Sequence, residues 1–160
     1  MLDRVDFPLS NQTLAGFMLE TGYTDFATIQ QVIGIIQDDG LINVEISRSN
    51  TSYTLTDQGR EMLEYFGNKI SDDIKKEVND YLTSRKYELK QAANVISECY
   101  RTTGGDYAVH CCIKENNYAL IDLVLSVPDE EIANLMCDNW KEQSQEIYEF
   151  AMKSLIQEGQ

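Results

Sequence analysis

The side chains of this sequence best suited to chemistry are His110, Cys112 and Asp122. A cysteine, a histidine and an aspartate together form a nucleophilic site, and each is also a zinc ligand. They lie in two segments, YAVHCCIKE and YALIDLVLSV, whose β-branched and aromatic content predicts neighbouring antiparallel strands. The chemistry therefore depends on how these two strands pair.

The alternation of apolar residues predicts which side chains of the two strands face the core. The core-facing set is Val109, Cys111, Ile113, Ala119, Ile121, Leu123 and Leu125. This pattern favours a connection through Glu115, Asn116 and Asn117. His110 and Cys112 then point outward, with His110 roughly opposite Asp122.

A regular strand face offers no pocket and no helix N-terminus that could stabilise an oxyanion. The adjacent Cys111 and Cys112 point to opposite faces, so they cannot bind one metal ion together. We therefore expect no catalytic residue, no metal and no cofactor, and the chain is predicted not to be an enzyme. Cys111 and Cys137 are expected to be small core residues.

A long helix follows the predicted sheet, beginning at Pro128 and ending near Leu155. At 1.5 Å per residue it is about 40 Å long, whereas a ten-residue strand reaches only about 33 Å. Its C-terminal end should therefore extend beyond the sheet and expose an apolar stripe, which usually contacts a second subunit. The candidate residues of this homodimer interface are Ile147, Phe150, Ala151 and Leu155.

The first part of the chain has a different pattern. Helices are predicted from Pro8 to Thr21, with Ser10 as the N-cap, and from Asp25 to Asp39. A hairpin follows, whose predicted strands are LINVEIS and TSYTLT and whose tip is formed by Arg48, Ser49 and Asn50. The next helix begins at Thr56 or Asp57. Helix, helix, hairpin and helix within 66 residues is the winged-helix order. The predicted domains are a winged helix over 1–68 and an α/β dimerisation or sensory domain over 69–160.

Charge sets limits on the function. The 160 residues contain 13 Lys and Arg against 27 Asp and Glu, a formal net charge of -14 that repels nucleic acids and anionic membranes. Residues 1–66 contain three arginines and ten acids. The N-terminus lacks the basic start of a signal peptide, and no apolar run is long enough to cross a membrane. We therefore expect a cytoplasmic protein with reduced thiols and no membrane partner.

Several segments together resemble a known bacterial family. These segments are DRVDFPLSN, DDGLI, YTLTDQGREMLEYF, GDYAVHC, LIDLVLSVP and CDNWKEQSQEIYEF. From about Asp3 to Leu155 the chain resembles the domain of unknown function 4364 family, which is regarded as a group of winged-helix transcriptional regulators. The YTLTDQGREML segment is also similar to the end of the wing in PadR-type and MarR-type regulators.

The resemblance implies a non-enzymatic, DNA-binding transcriptional regulator. In such regulators the helix before the hairpin enters the major groove, and here that helix spans Asp25 to Asp39. The candidate DNA-binding residues are Thr28, Gln30, Gln31, Arg48, Ser49 and Asn50. The segment between Gly22 and Thr28 leaves little room for a separate supporting helix, so a compressed or incomplete helix-turn-helix is expected. The alternative is a winged helix that docks on a protein partner without binding DNA.

The expected fold class is thus α+β, with an N-terminal winged helix followed by a small three-stranded antiparallel sheet packed against the long C-terminal helix. Residues 87–102 fit either a helix or a strand. The glycine-containing TTGGD segment that follows them favours a strand.

Overall fold

The computed structural model describes residues 1–47, 50–115 and 118–156 and confirms a mixed α+β architecture. The α-helices within these residues are α1 (Asn11–Glu20), α2 (Phe26–Asp38), α3 (Asp57–Phe66), α4 (Asp72–Ser84), α5 (Lys86–Asn94) and α6 (Glu130–Ile156). The strands are β1 (Leu9–Ser10), β2 (Ile42–Ile46), β3 (Thr51–Leu55), β4 (Val95–Arg101), β5 (Tyr107–Glu115) and β6 (Tyr118–Val127). Short 3-10 turns occupy Leu2–Arg4 and Gly67–Lys69.

The chain divides into two compact units, Met1–Ala93 and Asn94–Gln160. In the first unit the strands form an antiparallel sheet in the order β1-β3-β2. Its main core joins helix α2 to the sheet through buried Ile29, Ile33, Ile42 and Tyr53, with Ala15 of α1 beside them. The predicted amphipathic character of α2 is therefore the property that holds this unit together.

Side-chain caps fix where the helices of the first unit begin. The Ser10 hydroxyl accepts a hydrogen bond from the Thr13 N–H, and the Asp25 carboxylate accepts one from the Thr28 N–H. Ser71 caps α4 in the same way by accepting from the Ile74 N–H. Each cap satisfies a backbone donor that the helix itself leaves free, which is why these short polar residues mark helix starts in the sequence.

The Leu-Thr-x-x-Gly segment, residues 55–59, has a specific packing function. The Thr56 hydroxyl accepts from the Gly59 N–H at 3.0 Å and donates to the Gly40 carbonyl oxygen at 2.8 Å, so it caps α3 and ties it to the end of α2. A Cβ atom on Gly59 would lie 2.2 Å from the Leu41 carbonyl oxygen. Only glycine lets α3 approach the backbone this closely.

The first unit also contains α4 and α5, although the division predicted from the sequence placed residues after 68 with the second domain. Buried Leu82 of α4 joins Phe7 and Leu9 in a second apolar core. The ring of Tyr81 packs edge-on against Phe17 of α1 at 5.1 Å. These contacts explain why the unit extends to Ala93.

Residues 87–102 are half helix and half strand, so the expected strand is correct only from Val95 onward. The preceding segment, KYELKQAAN, consists mostly of good helix formers and lacks β-branched residues. The VISECYR segment begins with two β-branched residues. Local composition therefore changes at the residue where the structure changes.

In the second unit the strands form an antiparallel sheet in the order β4-β5-β6, and α6 packs against one face. Val109, Cys111 and Ile113 are buried on that face, as predicted, beneath Ala133, Cys137 and Trp140 of the helix. The predicted set is wrong at its ends, because Ala119 is exposed and Leu125 stays 43% exposed.

Among the described residues, no helix combines the length and the apolar content that spanning a membrane requires.

Candidate functional site

The register of β5 and β6 determines which side chains meet on the sheet face turned away from α6. Glu115 pairs with Tyr118, and an irregularity after Ile113 shifts the pairing so that Ile113 lies opposite Ile121. Asn116 and Asn117 lie outside the described residues, while Glu115 belongs to the strand and not to the predicted connection. As far as Ile113, the predicted inward and outward sets keep their parity and the pairing differs by two residues. Beyond it Ala119 pairs with Lys114 and not with an inward-facing residue, so its predicted place in the core is wrong.

This difference changes the neighbours of the three reactive residues. His110 pairs with Val124 and not with Asp122, and Asp122 lies directly opposite Cys112. His110 and Cys112 are two residues apart and share one face of β5. The sheet therefore brings the three side chains together at adjacent positions.

The geometry of this cluster, defined by His110, Cys112 and Asp122, is compact. The His110 Nε2 atom lies 2.7 Å from Asp122 Oδ1, within hydrogen-bonding distance. One ligand atom from each of the three residues lies within 4.8 Å of the others. The side chains of His110 and Asp122 are 31% and 53% exposed, so solvent reaches one side of the cluster.

Cys112 is the buried member of the cluster. Cys112 lies on the predicted sheet face, away from α6, but only 1% of the residue is accessible, and the sequence did not predict this burial. Burial raises the pKa of the Cys112 thiol, and the nearby Asp122 carboxylate raises it further against the opposing charge of Lys114. A nucleophilic cysteine needs a lowered pKa, so these electrostatics argue against the nucleophilic use of this cluster.

The opposite face of β5 is dry. Burial raises the pKa of the Cys111 thiol to about 11, with a smaller contribution from Cys137. The indole N–H of Trp140 donates to the Cys112 carbonyl oxygen at 3.4 Å, which anchors α6 to the same strand that carries the cluster. The two adjacent cysteines thus serve different faces, as the sequence predicts.

The candidate DNA-binding residues lie in the first unit and differ in their availability. The Thr28 hydroxyl donates to Asp25 within the N-cap of α2, and the Gln30 side-chain amide donates to Asn11 at 3.1 Å. Gln31 is exposed, and its side chain makes no hydrogen bond within the described part of the chain. Asn50 is exposed at the end of the hairpin, whereas Arg48 and Ser49 lie outside the described residues.

Comparison with known proteins identifies the family of this chain. The family model described as Domain of unknown function (DUF4364) matches residues 1–155. The chain belongs to this family. No curated protein and no solved structure matched it.

Within this member of the DUF4364 family, the candidate dimer residues lie near the end of the 27-residue α6. The last residues of α6 in the core of the second unit are Trp140 and Tyr148, and beyond them Phe150 and Leu155 are 71% and 84% exposed. Ile147 is also exposed and Ala151 is half-buried. The helix end is therefore apolar and open to solvent.

Sequence reasoning missed two neighbours of the predicted residues. Asn11, which accepts the Gln30 hydrogen bond, also accepts one from the Tyr53 hydroxyl at 3.4 Å. Glu98 of β4 pairs with His110 across the sheet and therefore projects from the same face. Neither residue belongs to a motif, and only strand pairing and helix packing identify them.

Proposed function

We propose that the first unit is a winged-helix domain and that the protein is a non-enzymatic, DNA-binding transcriptional regulator. The observation that carries this proposal is the order of its elements. A short strand, β1, precedes α1 and α2 and closes the sheet of the hairpin β2–β3 in the order β1-β3-β2. In a winged helix, the strand before the helix-turn-helix occupies this position.

This topology also supports a different assignment of the helix-turn-helix. The supporting helix is α1, and residues 21–25 are the turn that leads to α2. The apparent lack of room after Gly22 therefore disappears, since the helix sought there lies before the turn. The α2 helix is then the recognition helix.

Gln31 is the best candidate for reading a base. It is exposed on α2, and an amide pairs with the N6 and N7 positions of adenine in the major groove. Gln30 is the weaker candidate, because its amide is already bound to Asn11. Arg48 remains a candidate for the wing because of its place in the sequence between β2 and β3.

The charge distribution limits the electrostatic part of DNA binding. Arg60 forms an ion pair with Asp3 at 3.4 Å. The exposed acids Asp38 and Asp39 lie at the C-terminal end of α2. Phosphate contacts supply most of the non-specific affinity of DNA-binding proteins. We therefore expect weak non-specific binding with a shallow salt dependence.

Docking of the same surface on a protein is the second candidate function. The apolar side chains of Val32 and Ile35 on α2 are 48% and 51% exposed, and Ile46 at the end of β2 is 80% exposed. Exposed apolar residues beside acids are typical of a protein interface, whereas DNA-binding surfaces are rich in cations. This observation favours a protein partner if DNA binding fails.

Selection of genomic fragments at about 50 mM salt, followed by titration of the selected duplex, tests the DNA proposal. Gln31→Ala should weaken the preferred site at least about tenfold while leaving binding to random DNA unchanged. Gln37 is an exposed glutamine on the same helix, so Gln37→Ala is the matched control. It should change neither the affinity for the preferred site nor the affinity for random DNA. Arg48→Ala should weaken all duplexes alike and reduce the salt slope by about one unit.

Wild-type protein that shows no salt-sensitive binding to any duplex under these conditions would exclude the DNA proposal. The protein-docking function then takes its place. An interface built on Val32 and Ile35 should resist high salt and be lost in Val32→Asp. The salt response of wild-type binding thus separates the two functions.

We further propose that the protein forms a homodimer through its second unit. The apolar end of α6 supports this proposal, and so does β6, a ten-residue edge strand whose one charged residue is Asp122. Edge strands of stable monomers are usually protected by charges, proline or bulges, and β6 has only the irregularity near its start. Antiparallel pairing with a second copy centred on Leu123 would place Asp122 opposite Val124 and avoid repulsion between the two aspartates.

Light scattering at tens of micromolar tests the dimer. The wild-type chain should be dimeric, and Phe150→Glu combined with Leu155→Glu should give a monomer or weaken the dimer strongly. Leu135→Glu adds one such charge to an exposed leucine of α6 away from its end and should leave the dimer intact. A monomeric wild-type protein would exclude the proposal.

A further inference from the structure

The cluster of His110, Cys112 and Asp122 combines one nitrogen, one sulfur and one oxygen donor within 4.8 Å. Three donors on two rigid neighbouring strands are positioned by backbone pairing, so little conformational entropy remains to be lost on binding an ion. All three residue types ligate zinc through these atoms. This combination on one sheet face is the observation from which the inference starts.

The distances agree with a tetrahedral ion after small side-chain rotations. Bond lengths of about 2.0–2.3 Å to nitrogen, oxygen and sulfur place the ligand atoms of such a site roughly 3.3–3.8 Å apart. His110 Nε2 and Asp122 Oδ1, now 2.7 Å apart, would separate slightly as an ion replaces the shared proton. The Cys112 sulfur, which lies within 4.8 Å of a ligand atom of each of the other two residues, would move toward them by a small rotation of its side chain.

The surroundings also suit an ion that enters from solvent. His110 and Asp122 are partly exposed, while Cys112 closes the inner side of the cluster. A water molecule that enters from this side can fill the fourth position of a tetrahedral ion. Oxygen donors alone would favour magnesium or calcium, but the imidazole and the thiol select a softer ion.

We propose that His110, Cys112 and Asp122 bind one divalent transition-metal ion of the zinc class. The site lies within the second unit, whereas α2 belongs to the first. It goes beyond the proposed DNA-binding function, because it stands whether the first unit binds DNA or protein. On binding, the ion forms one bond to each of the three residues, the S–H bond of Cys112 breaks, and its proton passes to solvent together with any proton shared by His110 and Asp122.

Zinc titration of the untagged full-length chain, stripped with a chelator beforehand, tests the proposal directly. One equivalent should remain bound after desalting, with micromolar or tighter affinity in competition with a chromogenic chelator. Cobalt should give the thiolate-to-metal charge-transfer absorption and the intense visible bands of a tetrahedral ion. His110 is the single histidine of the chain, so its ring signals in NMR spectra should shift on zinc addition without ambiguity of assignment.

Variants assign the donors. Asp122→Asn and His110→Asn alter partly exposed side chains and should fold, and each should weaken zinc binding at least about tenfold. Cys112→Ala should abolish the cobalt charge-transfer band. Cys111→Ala, equally buried but facing α6, and Asp138→Asn, an exposed carboxylate of α6, are the matched controls and should leave affinity and spectrum unchanged.

Several results would overturn the proposal. Binding of less than about a tenth of an equivalent of zinc at micromolar protein concentration would overturn it. Unchanged affinity in Asp122→Asn and His110→Asn would indicate an adventitious ion only. A cobalt band that disappears equally in Cys111→Ala and Cys112→Ala would remove Cys112 as the specific ligand.

Discussion

The two three-stranded sheets of this protein place their important side chains by different means. In the first unit, Thr56 and Gly59 lie three residues apart, and the hydrogen bond between them belongs to the local start of α3. In the second unit, Cys112 and Asp122 meet only because β5 and β6 pair in one particular register. Local signals thus determine where α3 begins in the first unit, whereas a long-range pairing determines the cluster on the second sheet.

The largest expected effect concerns the face of the second sheet that lies under α6. Trp140→Ala removes the largest buried side chain of α6 and its hydrogen bond to the Cys112 carbonyl. The free energy of unfolding should fall by about 3–5 kcal/mol, as for other buried aromatic residues replaced by alanine. Urea denaturation followed by circular dichroism measures the change.

Leu135→Ala, at a position of α6 that is 58% exposed, is the control and should cost less than about 1 kcal/mol. Equal effects of the two substitutions would mean that burial against α6 does not hold the second sheet together. The second sheet would then owe its stability to other contacts.

A glycine pair tests the first unit with a smaller expected effect. Gly59→Ala should destabilise the protein by about 1–3 kcal/mol, because the added methyl meets the Leu41 carbonyl oxygen. Gly34→Ala, in the interior of α2 with nothing within 4 Å, should instead stabilise it by up to about 1 kcal/mol. Thermal unfolding of both variants measures whether each substitution lowers or raises the stability. An unchanged stability of Gly59→Ala would show that α3 does not need this close approach.

The smallest expected effect comes from a buried hydrogen bond of the second unit. The Ser97 hydroxyl donates to the Cys137 carbonyl oxygen at 2.9 Å in a fully buried position. Ser97→Ala should lower the free energy of unfolding by about 0.5–1.5 kcal/mol. Ser126→Ala, on an exposed position of β6, should change it by less than about 0.5 kcal/mol, and similar losses in both would remove any special contribution of Ser97.

The sequence predicted those parts of the fold that local chemistry determines. Ser10 and Thr56 begin helices because their hydroxyls satisfy free backbone donors, and α6 follows the sheet as the periodicity indicates. Alternation along β5 correctly assigned Cys111 and Cys112 to opposite faces. Each of these features depends on residues close together in the chain.

The remainder depends on distant contacts. Leu82 packs with Phe7 and Leu9, so α4 belongs to the first unit although nothing near residue 68 indicates this. The two-residue difference in the pairing of β5 with β6 preserves which residues face the core, so the hydrophobic pattern could not detect it. For the same reason the nearness of Cys112, His110 and Asp122 was predicted only approximately, and the burial of Cys112 was not predicted.

The parity of β5 also has an evolutionary consequence. An insertion or deletion of one residue between Val109 and Ile113 would exchange the two faces for the residues on one side of the change, turning polar residues of β5 toward Trp140 and apolar ones to the other side. Substitutions along this strand affect one face at a time, whereas a change in its length affects both faces together. We therefore expect the strand to vary in sequence but not in length, and a scan of single-residue insertions across β5 should find the deepest loss of soluble protein at these central positions.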